Sequence, residues 1–183
     1  MEVEFGITKL SNRPEADGTS LRLADGPLEL SWHHCSTTSD FLGDFYATQA
    51  RKASLDYNET RHGIGYLVNE LLENAIKFRA AGDISVETSL DGTNFEIRVV
   101  NNIDETTSTR FRALLGEITS RDPGDLLIEK IESNAANPSS TGSGLGLLTL
   151  MSDYGVRLGW IFHEPASGGA PTRLETFAAL TLA

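Results

Sequence analysis

Cysteine is nearly missing from this chain. Cys35 is the only one in 183 residues, so no intramolecular disulfide forms, and a reducing compartment, the cytoplasm, is expected. Blocks of consecutive basic residues are also missing, and the net charge is −11. A nucleic-acid surface would have to be built against that field, so nucleic acid is excluded as the expected partner. A protein partner with a neutral or basic docking surface fits better. Long apolar runs are absent too. The densest, residues 145–151, is far too short to span a bilayer. The opening MEVEFGITKL has no basic stretch followed by an apolar one, so no secretory signal is read. No internal repeat is visible. A soluble protein with one sizeable core is expected.

What is present begins with residues 65–78, GYLVNELLENAIKF. At helical spacing Glu70, Asn74 and Lys77 fall within an arc of roughly 60°. Ile64, Leu67, Val68, Leu71, Leu72, Ala75 and Phe78 fill the stripe beside it. Such a helix buries one stripe and holds a carboxylate, an amide and an ammonium together at its edge. Asn58 or Thr60 is the expected cap, and Gly82 the expected left-handed residue after the helix.

Ahead of this helix, residues 1–37 are expected to form an N-terminal β-extension on the main domain. Strands near 21–23 and 28–32 flank the turn Asp25-Gly26-Pro27 as a hairpin. His33, His34 and Cys35 would lie on a strand, where neighbours point to opposite faces, and no second ligand pair stands at zinc spacing. A helix is expected over about 38–52, with Phe41, Phe45, Tyr46 and Ala50 near helical spacing.

Beyond it, strands at 84–89 and 95–100 flank Asp91-Gly92, a strong hairpin signal. Two helical pieces, about 108–118 and 125–134, follow and run into a Gly/Ser-rich hinge. Residues 101–141 thus read as a lid. Gly144-Leu145-Gly146 opens a helix over 145–154, and strands at 156–163 and 174–182 close the chain. This order predicts an α+β fold: a two-layer α/β sandwich, helices on one face of a mixed, mainly antiparallel sheet.

Two elements about seventy residues apart carry the chemistry. One is Glu70-x-x-x-Asn74-x-x-Lys77. The other is Gly142-Ser143-Gly144-Leu145-Gly146-Leu147, whose glycines let backbone N–H groups approach phosphates at a helix N-terminus. The second is neither a Rossmann fingerprint nor a P-loop.

As a pair, in this order and with a lid between, they resemble the GHKL (Bergerat) ATP-binding fold of histidine-kinase catalytic domains, anti-sigma-factor serine kinases, gyrase, Hsp90 and MutL. Residues 60–82 resemble its N-box and 141–155 its second glycine box, and the likeness covers roughly 38–182, within a main domain of 38–183. The resemblance implies Mg-ATP as ligand, with Asn74 on the Mg2+, Lys77 and Gly142, Gly144 and Gly146 toward the phosphates, and Glu70 as general base. It implies Thr176 and Asn101 near the adenine. Asn101-Asn102-Ile103-Asp104-Glu105 departs from the family's Asp-x-Gly-x-Gly: an amide stands for the aspartate, and Ile103 and Glu105 replace glycines.

His33, His34, His62 and His163 lack the setting of a phosphoacceptor, so a histidine kinase is not expected. The leading expectation is a partner-switch serine/threonine kinase, acting on a small STAS-type antagonist and regulating a sigma factor or other signalling protein. The alternative is a degenerate docking module of the same fold without catalysis. Homodimerisation through N-terminal helices is left open.

Overall fold

The structure, a computed structural model, describes residues 2–8, 18–25, 32–136, 144–165 and 169–183. In chain order it has β1 (Glu2–Gly6), β2 (Gly18–Leu23), α1 (Trp32–Ala50), a 3-10 turn (Arg51–Ala53), α2 (Tyr57–Lys77), β3 (Ile84–Asp91) and β4 (Asn94–Ile103). The helices α3 (Glu105–Ile118) and α4 (Pro123–Ala136) follow, then α5 (Leu145–Ser152), β5 (Arg157–His163) and β6 (Thr172–Thr181). The fold is α+β.

One six-stranded sheet runs β1-β5-β6-β4-β3-β2, and all five pairings are antiparallel. The expected mixed sheet is therefore corrected to an antiparallel one. Alternation decides which face is covered. Phe95, Ile97 and Val99 of β4 are buried, as are Leu158, Trp160 and Phe162 of β5. They share one core with Ile64, Leu67, Val68, Leu71 and Leu72 of α2. The opposite face carries a charged network in which Arg98 bonds both Glu87 and Glu175. An arrangement with one covered and one charged face fits a two-layer α/β sandwich.

The central helix obeys its stripe, with one exception. Ile64, Leu67, Val68, Leu71, Leu72 and Ala75 are buried, each worth about 1.5–3 kcal/mol for the larger side chains. Phe78 instead caps the C-terminus and is 40% exposed. The N-cap is Asp56, whose side chain accepts from the Glu59 N–H, and not Asn58 or Thr60. Asp56 stands two residues before Asn58 and four before Thr60, and its carboxylate satisfies a free amide of the first turn.

Two expectations about the N-terminal part fail. His33, His34 and Cys35 lie in α1, which starts at Trp32, and not on a strand. The expected hairpin around Asp25-Gly26-Pro27 is replaced at its first strand, because β2 pairs with β3 in register Leu21↔Val86; residues 26–31 lie outside the described residues. Asp25 is tied instead to the turn between α2 and β3, accepting from Arg79 at 2.7 Å and from the Gly82 N–H at 3.1 Å. Within α1, Tyr46 and Ala50 are buried, while Phe41 and Phe45 face outward and stack at 5.9 Å. No helix among the described residues is long and apolar enough to cross a membrane.

Candidate functional site

One cavity of about 500 Å3 opens between α2, α3, the start of α5 and the covered face of the sheet. Its lining includes Glu70, Asn74 and Lys77 from α2, Gly144 and Gly146 from the glycine turn, and Asn101 and Thr176 from adjacent strands. Seven of the eight residues singled out in the sequence thus meet in one place. Gly142, the eighth, lies outside the described residues, as does the hinge at 137–143.

The wall from α2 follows from helix geometry. Glu70, Asn74 and Lys77 occupy successive turns of one face, beside the stripe that anchors α2 in the core. Glu73 joins them at the rim. Burial pushes the Glu70 carboxyl above its ordinary range, and the Glu73 carboxylate adds to the shift. Among the described residues Lys77 has no carboxylate partner; its ammonium lies 5.1 Å from the Phe78 ring centre.

The wall from α5 depends on two glycines. Gly144 is the N-cap in the left-handed region, φ 68°, and makes no side-chain cap. A Cβ there would also stand 3.2 Å from the Leu114 methyls. Gly146 sits on the first turn, and a Cβ on it would coincide with the Glu70 carboxylate. Leu147, Leu148 and Leu150 bury the other side of α5. Its C-terminal end is pinned to α2 where Tyr154 stacks on Tyr66 at 5.0 Å and its hydroxyl meets His62 Nε2 at 3.2 Å. Tyr66 precedes Glu70 by one helical turn, so this stack fixes how α5 meets the carboxylate. Burial, and then the Glu70 charge, raise the Tyr66 phenol above its usual range.

The floor is read from strand register. Thr176 lies between Val99 and Trp160, and in the neighbouring row Leu174 pairs with Asn101 and Phe162. Asn101 is buried and its amide N–H donates to the Asn102 carbonyl at 3.3 Å. It belongs to β4, which runs on to Ile103, so no loop begins at 101. Ile103 is buried against the cavity. Asp104 caps α3, accepting from the Thr107 N–H at 2.7 Å. That cap needs an extended residue with a short carboxylate, a role glycine would not fill as well.

Three further lining residues carry no signal in sequence. Trp160 is almost fully buried, with an indole N–H that has no acceptor among the described residues. Phe111 meets it edge to face at 6.1 Å. Arg110 of α3 stands exposed at the rim. A β-strand tryptophan and a helix-surface arginine are common everywhere, and only the tertiary arrangement brings these to the cavity.

The site therefore combines a half-buried carboxylate of raised pKa, an amide and an ammonium at one end. An apolar floor with an amide and a hydroxyl completes the other. Comparison of the chain with protein-family models and with curated proteins returns no match.

Proposed function

We propose that this chain is a GHKL-type nucleotide-binding regulator that transfers the γ-phosphoryl group of Mg-ATP to a hydroxyl on a small antagonist protein. The observation that carries the reading is convergence. Glu70, Asn74 and Lys77 share one cavity with Gly144 and Gly146, although about seventy residues separate the two groups in sequence.

The residues suit the ligand. A volume of about 500 Å3 falls in the usual range for small-molecule sites, about 300–1,000 Å3. The Asn74 amide oxygen is the kind of hard donor that magnesium takes alongside water and substrate phosphates. Bound there, magnesium would neutralise phosphate charge beside the acidic pair Glu70 and Glu73. Lys77 adds a cation, and the free amides at the start of α5 favour an anion. Asn101 offers an amide, which can both donate to and accept from an adenine edge. Thr176 adds a hydroxyl next to it.

Glu70 is the residue placed to take a proton. A carboxyl raised by burial is a better base near neutral pH than an exposed one, and a docked hydroxyl beside it would lose its proton there. A kinase acting on a docked protein needs no deeper substrate pocket than this one. A STAS-type antagonist, a sigma factor or another signalling protein fits the acidic surface as partner. The setting would be cytoplasmic.

A second reading is favoured by one feature. Ile103 fills the cavity edge and Asp104 is spent on capping α3, where a flexible glycine turn would leave room for a base. On that reading the fold docks onto its partner without catalysis. Isothermal titration of Mg-ATP into wild type and Asn74→Ala separates the two. Binding that is lost in the variant supports the kinase reading, and no binding to wild type at millimolar nucleotide leaves the docking module.

A further inference from the structure

Helix α3 carries two arginines two positions apart with opposite fates. Arg112 is held, donating to Glu164 Oε1 at 2.7 Å with its guanidinium 4.7 Å from the Phe162 ring centre. Arg110 is exposed and lines both the main cavity and a shallower hollow formed with Glu105, Thr106 and Thr109. Among the described residues it makes no ion pair and no side-chain hydrogen bond. Glu105, five positions earlier on α3, lines that hollow with it, and Asp104 accepts from the Thr107 N–H, which holds its carboxyl below the ordinary range with a smaller contribution from the Arg110 charge.

Acids outnumber lysines and arginines 26 to 15, and Arg22, Arg61, Arg79, Arg98, Arg121 and Arg173 each hold a carboxylate. Among the described residues Arg51, set over the Tyr57 ring, and Arg157 hold none either, but neither lines the cavity. Lys77, on the α2 wall of the same cavity, is also without one among the described residues. Two cations from different elements thus line a cavity that also holds Glu70 and Glu73. Among the described residues neither is in ion-pair contact with a carboxylate, so an anion entering from solvent would meet both.

We propose that Arg110 contacts the terminal phosphate of a bound nucleoside triphosphate from the α3 side, and so sets the preference for triphosphate over diphosphate. The proposal rests on the nucleotide reading above. A guanidinium presents a planar fork that matches two phosphate oxygens, which an ammonium does not. Arg110 positions the phosphate and moves no proton.

The test is titration calorimetry of the full chain with ATP and with ADP, each with magnesium, on wild type, Arg110→Ala and Arg110→Lys. Arg110→Ala is expected to raise the Kd for ATP about tenfold, equivalent to about 1.4 kcal/mol, and the Kd for ADP less than about twofold. Arg110→Lys keeps the charge without the fork and should fall between. Melting temperatures should match wild type, since the side chain is exposed. Equal weakening for both nucleotides, or for neither, overturns the assignment of Arg110 while nucleotide binding itself stands. Wild type that binds neither nucleotide overturns the nucleotide reading, and the assignment with it.

Discussion

The carboxylate of Glu70 lies directly against the backbone of Gly146, in the space that any side chain at position 146 would fill. The two residues come from different helices, held in place by the Tyr66–Tyr154 stack. Gly146 is helical, so alanine suits its backbone and gains up to about 1 kcal/mol of helix propensity. Its methyl would push aside only the end of a flexible side chain. Gly146→Ala should therefore melt at or above wild type while phosphoryl transfer drops by at least about tenfold, or about 1.4 kcal/mol in barrier. Full activity in this variant would show that the contact does not set the position of Glu70.

Glu70 also predicts a pH dependence of stability. Its folded-state pKa is raised, by burial first and by Glu73 second, above an ordinary value of 4.5. A group raised in this way gives stability that is fully present below the unfolded pKa and lost as pH rises through the folded one. Glu70→Gln removes that loss. The variant should melt above wild type at pH 8, with the gap closing as pH falls below 4.5. A gap independent of pH, followed by calorimetry across that range, would contradict the burial of this carboxyl.

Gly144 tests the turn that opens α5. Its φ of 68° strains any residue with a Cβ, and the added atom would press on Leu114 at 3.2 Å. Gly144→Ala should cost about 1–2 kcal/mol in urea unfolding, from the left-handed backbone alone. Asn tolerates that region better, so Gly144→Asn should cost less unless contact with Leu114 dominates.

Tyr46 links α1 to the sheet through a buried hydroxyl pair with Thr88 Oγ1 at 2.8 Å. Tyr46→Phe should lower stability by about 0.5–1.5 kcal/mol without touching the cavity. Nucleotide affinity should be unchanged, and a change would mean that α1 is coupled to the site.

Much of this arrangement is legible in the chain because it is local. The α2 stripe, the Asp91-Gly92 hairpin, the helices α3 and α4 and the glycine turn before α5 are each written in a short window. The N-terminal strands are not. β1 finds β5 and β2 finds β3 across long stretches of sequence, at opposite edges of the sheet, and no local pattern names such partners. The start of α1 fails for a different reason. Residues 36–40 are Ser-Thr-Thr-Ser-Asp, every one a plausible cap, whereas packing of Cys35 and Leu42 into the core carries the helix back to Trp32. At the site, a carboxylate and an amide four apart on a helix are visible in advance. Arg110 gains meaning only when the fold brings α3 to the rim of the cavity.

The most direct test of the account is whether the cavity takes nucleotide through Asn74. Thermal unfolding should be measured with and without Mg-ATP on wild type and Asn74→Ala. At ligand about 100 times its Kd, wild type should gain about 2.7 kcal/mol, and Asn74→Ala should gain little while remaining folded. No stabilisation of wild type at millimolar Mg-ATP, or equal stabilisation of both proteins, would contradict it.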